Sequence, residues 1–162
     1  MPNNIRDEII DRLREAFESV KDNPPAVSGK PVQLVSVMER FTLPTDLGDA
    51  DLPAVSFGYG GSRLVDGAFT QEEENIFSVY VYPIVPELPG MDLLESASAM
   101  EETVRRIVHD LNAYQIAYDD DTVIGVSVGQ VLAGEGKFTK YEFMEFRLDF
   151  RVAYQIPLET EI

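Results

Sequence analysis

From residue 146 to residue 156 the chain alternates without a break. Phe146, Leu148, Phe150, Val152, Tyr154 and Ile156 fall on one parity; Arg147, Asp149, Arg151, Ala153 and Gln155 fall on the other. A period of two is the signature of a strand with one buried face. The register of such a strand is tightly specified, because a slip of one residue would turn the whole apolar set to solvent. The chain must therefore build a sheet around this strand and cover one of its faces.

Two amphipathic segments are suited to be the cover. Residues 4–21 place Ile5, Ile9, Ile10, Leu13, Ala16, Phe17 and Val20 on one helical stripe. Asn3 or Asn4 caps the start, and Asp7 and Glu8 stand in the first turn, where the helix dipole favours negative charge. Asn23, Pro24 and Pro25 end it, since proline cannot continue the hydrogen-bond ladder. A second helix is expected over residues 93–113, with Asp92 and Glu95 as a capping-box variant. Its stripe is Leu93, Ala97, Met100, Val104, Ile107, Val108 and Leu111, and its polar face carries Glu101, Glu102, Arg105 and His109.

The remaining segments read as strands and loops. Residues 31–41 form a first strand, and residues 42–52 a polar, acidic loop. A second, short strand runs from Leu52 to the glycines Gly58, Gly60 and Gly61. Residues 62–74 are loop-like, with Glu72, Glu73 and Glu74 as a solvated charge run. Residues 75–85 alternate Phe77, Val79 and Val81 against Ser78, Tyr80 and Tyr82, and Pro83, Pro86 and Pro89 break the pattern. Residues 122–132 put Ile124, Val126 and Val128 on one face, and Gly125, Ser127 and Gly129 on the other. Residues 133–136 then read as a hairpin turn. The order helix, three strands, helix, two strands predicts an α+β fold in a single domain over residues 1–162. The sheet is mixed or antiparallel with about five strands, and both helices pack on one face.

Few chemistries fit the residues. Without cysteine there is no disulfide and no thiolate metal site. The single histidine, His109, cannot supply a histidine-based metal site, and no Gly-x-Ser-x-Gly elbow accompanies it. Asp119, Asp120 and Asp121 are consecutive, whereas a calcium loop needs alternating ligands, a sharp glycine turn and a distal Glu. They read as a solvated turn. The run Gly58 to Ser62 lacks the Lys that a phosphate-binding loop requires, and no helix opens after it. Tyr80, Tyr82, Tyr141, Phe143 and Phe146 could stack bases, but such a platform also needs basic residues alongside and the overall balance is strongly acidic, so core packing is their expected duty. The expectation is a non-enzymatic protein with no catalytic, cofactor or metal residues and no cofactor. A net charge of −16 opposes binding to phosphate backbones. The first residues lack the apolar core of an export signal, and no stretch approaches the roughly 20 apolar residues of a membrane span.

The arrangement resembles the tail terminator proteins of long-tailed bacteriophages, also described as minor tail or tail completion proteins. The segments that carry it are the opening helix from Ile5 to Leu13, the strand entry Leu52-Pro-Ala-Val-Ser-Phe, and the strand Phe77-Ser-Val-Tyr-Val-Tyr. The helix Met100-Glu-Glu-Thr-Val-Arg-Arg-Ile-Val and the closing strand from Phe146 to Tyr154 complete it. The resemblance implies a virion protein, made in the host cytoplasm, that forms a ring of usually six copies on the last ring of the tail tube. It would stop tube polymerisation and meet the neck. Its partners would be itself, the major tail tube protein and a neck or head-completion protein, with DNA passing through the lumen without specific binding and no membrane contact. Acidic residues at 46–51 and Glu72, Glu73 and Glu74 are candidates for a negative lumen. Two alternatives remain at this point: a head-closure, neck or baseplate protein of similar fold, and a small ligand-binding or carboxylate-dependent enzyme domain.

Overall fold

The computed structural model describes residues 4–27, 30–31, 34–38, 54–65, 71–82, 93–113, 116–134 and 143–154. Among these residues two helices, α1 (Ile5–Asp22) and α2 (Leu93–Ala113), accompany eight strands. Strands β1 (Ala26–Val27) and β2 (Lys30–Pro31) pair with each other alone. The others, β3 (Ser36–Val37), β4 (Ala54–Val65), β5 (Gln71–Tyr82), β6 (Ala117–Tyr118), β7 (Asp121–Gly134) and β8 (Phe143–Tyr154), form one sheet in the order β3-β4-β5-β8-β7-β6. Only β3 and β4 run parallel, so the sheet is mixed. It has six strands where about five were expected, because the short flanking pieces β3 and β6 join the four long ones.

The sheet is organised by the pattern that the closing strand announced. Phe146, Leu148, Phe150 and Val152 are fully buried. Across β5 they meet Phe77 and Val79, and across β7 they meet Val123, Val126, Val128 and Val131. Phe77 and Phe150 pack edge to face at 5.4 Å. Both helices bury their stripes in this same core: Ile5, Ile9, Leu13, Phe17 and Val20 from α1, and Met100, Val104, Ile107, Val108 and Leu111 from α2. Asn4 is the cap of α1, accepting the Asp7 N–H at 3.0 Å. Asn3, Asp92, Tyr141, Gln155, Ile156, Pro83, Pro86, Pro89 and residues 42–52 lie outside the described residues, as does the end of the 133–136 turn.

Several strand expectations are corrected. The expected 31–41 strand is interrupted: Pro31 ends β2, Ser36–Val37 form β3, and residues 34–35 and 38 belong to no strand, while residues 32–33 and 39–41 lie outside the described residues. The glycine-rich segment is not the end of β4. A bulge between Tyr59 and Gly61 absorbs an extra residue, Gly61 takes φ 107°, and the strand continues to Val65. Residues 62–74 are thus no single loop: 62–65 end β4, and 71–74 begin β5. In β7, bulges between Val123 and Gly125 and between Val128 and Gln130 reset the alternation. Val123 takes the inner place, and Ile124 is half exposed.

Candidate functional site

Strand parity sorts the polar groups of the sheet into two clusters. Odd residues of β8 face away from the helices, and their cross-strand partners on β5 are Glu72, Glu74, Ile76, Ser78 and Tyr80. On this face Arg151 donates to Glu72 Oε2 from Nη2 and Nε, at 2.5 and 3.1 Å. Arg63 of β4 donates to Glu74 at 2.5 Å. Ser78 donates to Glu145 Oε1 at 3.0 Å, and Arg147 Nε lies 3.5 Å from the same oxygen. The exposed Arg151–Glu72 and Arg63–Glu74 pairs contribute at most about 1 kcal/mol each, and they link neighbouring strands across this face.

Asp149 lies within this ladder. Burial pushes its carboxyl above the usual carboxylate range; the charge of Glu74 adds to the effect, and Arg63 opposes it. Gly129 makes room for it, since a Cβ there would come within 2.5 Å of Asp149 Oδ2. Tyr80, opposite Glu145, is likewise raised, first by burial.

The second cluster lies on the helix side. Arg6, in the first turn of α1, donates from Nε to Asn75 Oδ1 at 2.8 Å and from Nη2 to Glu73 Oε2 at 3.0 Å. Its guanidinium sits 5.3 Å from the centre of the Tyr59 ring, which in turn packs on Phe77. Asn75 is fully buried. Its Nδ2 and the nearby Tyr154 hydroxyl are buried without a hydrogen bond of acceptable geometry. Burial, ahead of every other cause, raises Tyr154. This cluster ties the start of α1 to one end of the sheet. Sequence reading missed it, although one signal was present: Asn75 shares its parity with Phe77, Val79 and Val81 and so had to face inward.

The fold disperses the residues that the sequence singled out. Glu72, Glu73 and Glu74 belong to a strand, not a loop, and each is held by a different arginine. Asp119 and Asp120 form the turn between β6 and β7, with Asp119 at φ 53°, and Asp121 opens β7. His109 is 86% exposed on α2, 3.6 Å from Asp110. Phe146 is core; Tyr80 is half-buried on the charged face. Among the described residues no group of three His, Cys, Asp or Glu side chains is placed to hold a metal ion. None of the described helices is long and apolar enough to cross a membrane. A groove of about 450 Å³ separates the ends of α1 and α2, with Ala16, Val20, Ile107, Leu111 and Ile116 as its apolar wall and Arg12, Glu15, Arg106 and Asp110 among its polar lining. No protein-family model matches the chain, and no curated protein matches it.

Proposed function

We propose that the chain is a structural virion protein that forms a ring on the end of a phage tail tube, stops its polymerisation and provides the joint to the neck. One observation carries the reading. The described parts of the segments on which the resemblance rests belong to α1, β5, α2 and β8 and, from Ala54 to Phe57, to the start of β4, and they contribute to one core. The polar groups support a scaffold: among the described residues of the sheet, Arg151 and Arg63 neutralise Glu72 and Glu74 in pairs across strands. The same pairing bears on DNA passage. Glu72 and Glu74 are balanced by Arg151 and Arg63, so they contribute little free negative charge to a lumen. The acidic residues at 46–51 keep that role as candidates and lie outside the described residues.

The test is to decorate finished tail tubes. Gold-labelled protein, added in excess to tubes of the cognate tail tube protein, is expected at one tip of each tube. Label along the whole tube, or none at all, contradicts the reading.

A further inference from the structure

The charges of this sheet are distributed in an unusual way. Edge strands commonly carry charge or proline, which discourages pairing with another chain. Here the central strands carry the charge: Glu72, Glu73 and Glu74 on β5, and Glu145, Arg147, Asp149 and Arg151 on β8. The long outer strands are nearly devoid of it. Residues 122–134 contain no charged residue and no proline, and β4 carries Arg63 alone.

Among the described residues both outer strands are only partly covered. On β4, β3 pairs with Ala54 and Val55, and the Met38 N–H donates to the Val55 carbonyl at 2.9 Å. On β7, β6 pairs with Asp121 and Thr122, Ile116 accepts from the Val123 N–H, and Asn112 binds the backbone of Val126. Among the described residues nothing pairs with residues 57–65 of β4 or 127–134 of β7 along their outer sides. Strand alternation, corrected for the bulges, turns the N–H groups of Phe57, Tyr59, Ser62 and Leu64 outward from one flank. It turns those of Val128, Val131 and Ala133 outward from the other.

We infer that residues 57–65 of one copy pair antiparallel with residues 127–134 of a second copy of this chain. Three observations point to a second copy. First, β4 and β7 run in opposite directions within the sheet, so joining the β4 flank of one copy to the β7 flank of the next continues the antiparallel alternation. Second, each copy carries a charge of −16, and the flanks, which hold no charged residue but Arg63, are where two copies approach with least repulsion. Third, β3 and β6 cover opposite ends of the two flanks: β3 lies level with the Gly134 end, and β6 with the Val65 end. The open stretches therefore match only when neighbours are staggered along the strand direction, and a stagger between strands is what closing a sheet into a barrel requires. Two different patches on each copy make a head-to-tail contact, which closes into a ring when the rotation allows. The closure rests on the ring reading; the pairing of flanks stands on the strands alone.

Proline at an outward N–H removes a donor needed only by the partner copy. Ser62→Pro blocks the β4 flank and Ala133→Pro blocks the β7 flank. In native mass spectrometry and sedimentation, with salt to screen the charge, wild-type protein is expected to oligomerise and each variant to remain monomeric. A one-to-one mixture is expected to give a heterodimer and nothing larger, since one intact flank of each kind survives. Wild-type protein that stays monomeric at every concentration overturns the pairing. So does a folded variant that assembles like wild type, or two folded variants that ignore each other. If proline unfolds either variant, hydrogen exchange on wild-type protein decides. Peptides covering 57–65 and 127–134 should exchange about tenfold more slowly in the oligomer than in dilute monomer, and unchanged rates there overturn the pairing. A closed ring protected elsewhere would sink the flank pairing and leave the ring reading intact; open chains with protected flanks would do the reverse.

Discussion

The Asn112 carboxamide and the backbone of Val126 exchange two hydrogen bonds: Nδ2 donates to the Val126 carbonyl at 2.7 Å, and Oδ1 accepts the Val126 N–H at 2.8 Å. A side chain from α2 thus takes the place of one residue of a neighbouring strand. It also donates to Val108 O at 3.0 Å, which fixes its orientation on the helix. Asn112→Ala should cost about 1–3 kcal/mol, because two backbone groups in a partly buried setting lose their partner. Asn112→Asp should be no better, since it keeps the acceptor but sets a carboxylate against the Val126 carbonyl. Denaturant midpoints at unchanged slope measure both; wild-type stability in either variant would mean that the bridge is not formed.

Phe150 is fully buried between β5 and β7 and packs edge to face on Phe77. Phe150→Ala should lose roughly 3–5 kcal/mol through lost burial and a cavity. Asp149→Ala, one residue away on the charged face, should cost far less. Equal losses in urea melts would contradict the assignment of faces.

The raised Asp149 carboxyl makes a prediction about pH. With the folded value above the unfolded one, the bound proton stabilises the fold fully below the unfolded value, near 3.9, and that contribution is lost as pH rises through the folded value. At neutral pH the ionised group is therefore a liability. Asp149→Asn is expected to melt higher than wild type at pH 7, with the gap closing as pH falls towards about 4. A variant that melts lower at pH 7, by a margin that shrinks on acidification, would show instead that Arg63 outweighs burial.

Arg6 supplies the acceptors Asn75 Oδ1 and Glu73 with their donors. Arg6→Ala should cost about 1–3 kcal/mol, chiefly by leaving Asn75 buried with a further unpaired atom. Lysine cannot reproduce the planar fork, so Arg6→Lys should recover only part of the loss. Thermal melts of the two variants check this, and full recovery by lysine would remove the case for the fork.

How far the sequence disclosed this fold depended on where regular alternation held. In β8 nothing interrupts it, and the buried set Phe146, Leu148, Phe150 and Val152 follows directly. In β7 two bulges shift the parity, so Ile124 reads as inward while Val123 takes the place. In β4 glycine allows the positive φ of Gly61, and a strand resembles its own end. The acids Glu72, Glu73 and Glu74 read as a loop because their stabilising partners, Arg151, Arg6 and Arg63, come from other elements. The polar contacts were hidden for the same reason, with one exception: parity alone turns Asn75 inward. The bridge from Asn112 to Val126 depends on α2 reaching β7, and no local pattern encodes that.

The proposed function is that this chain ends a polymer. Its most direct measurement is the length distribution of tail tubes grown from purified cognate tube subunits, with and without the protein. Tubes that stop at a length set by the amount of protein added are the predicted result. Tubes of unchanged length at every ratio would contradict the claim.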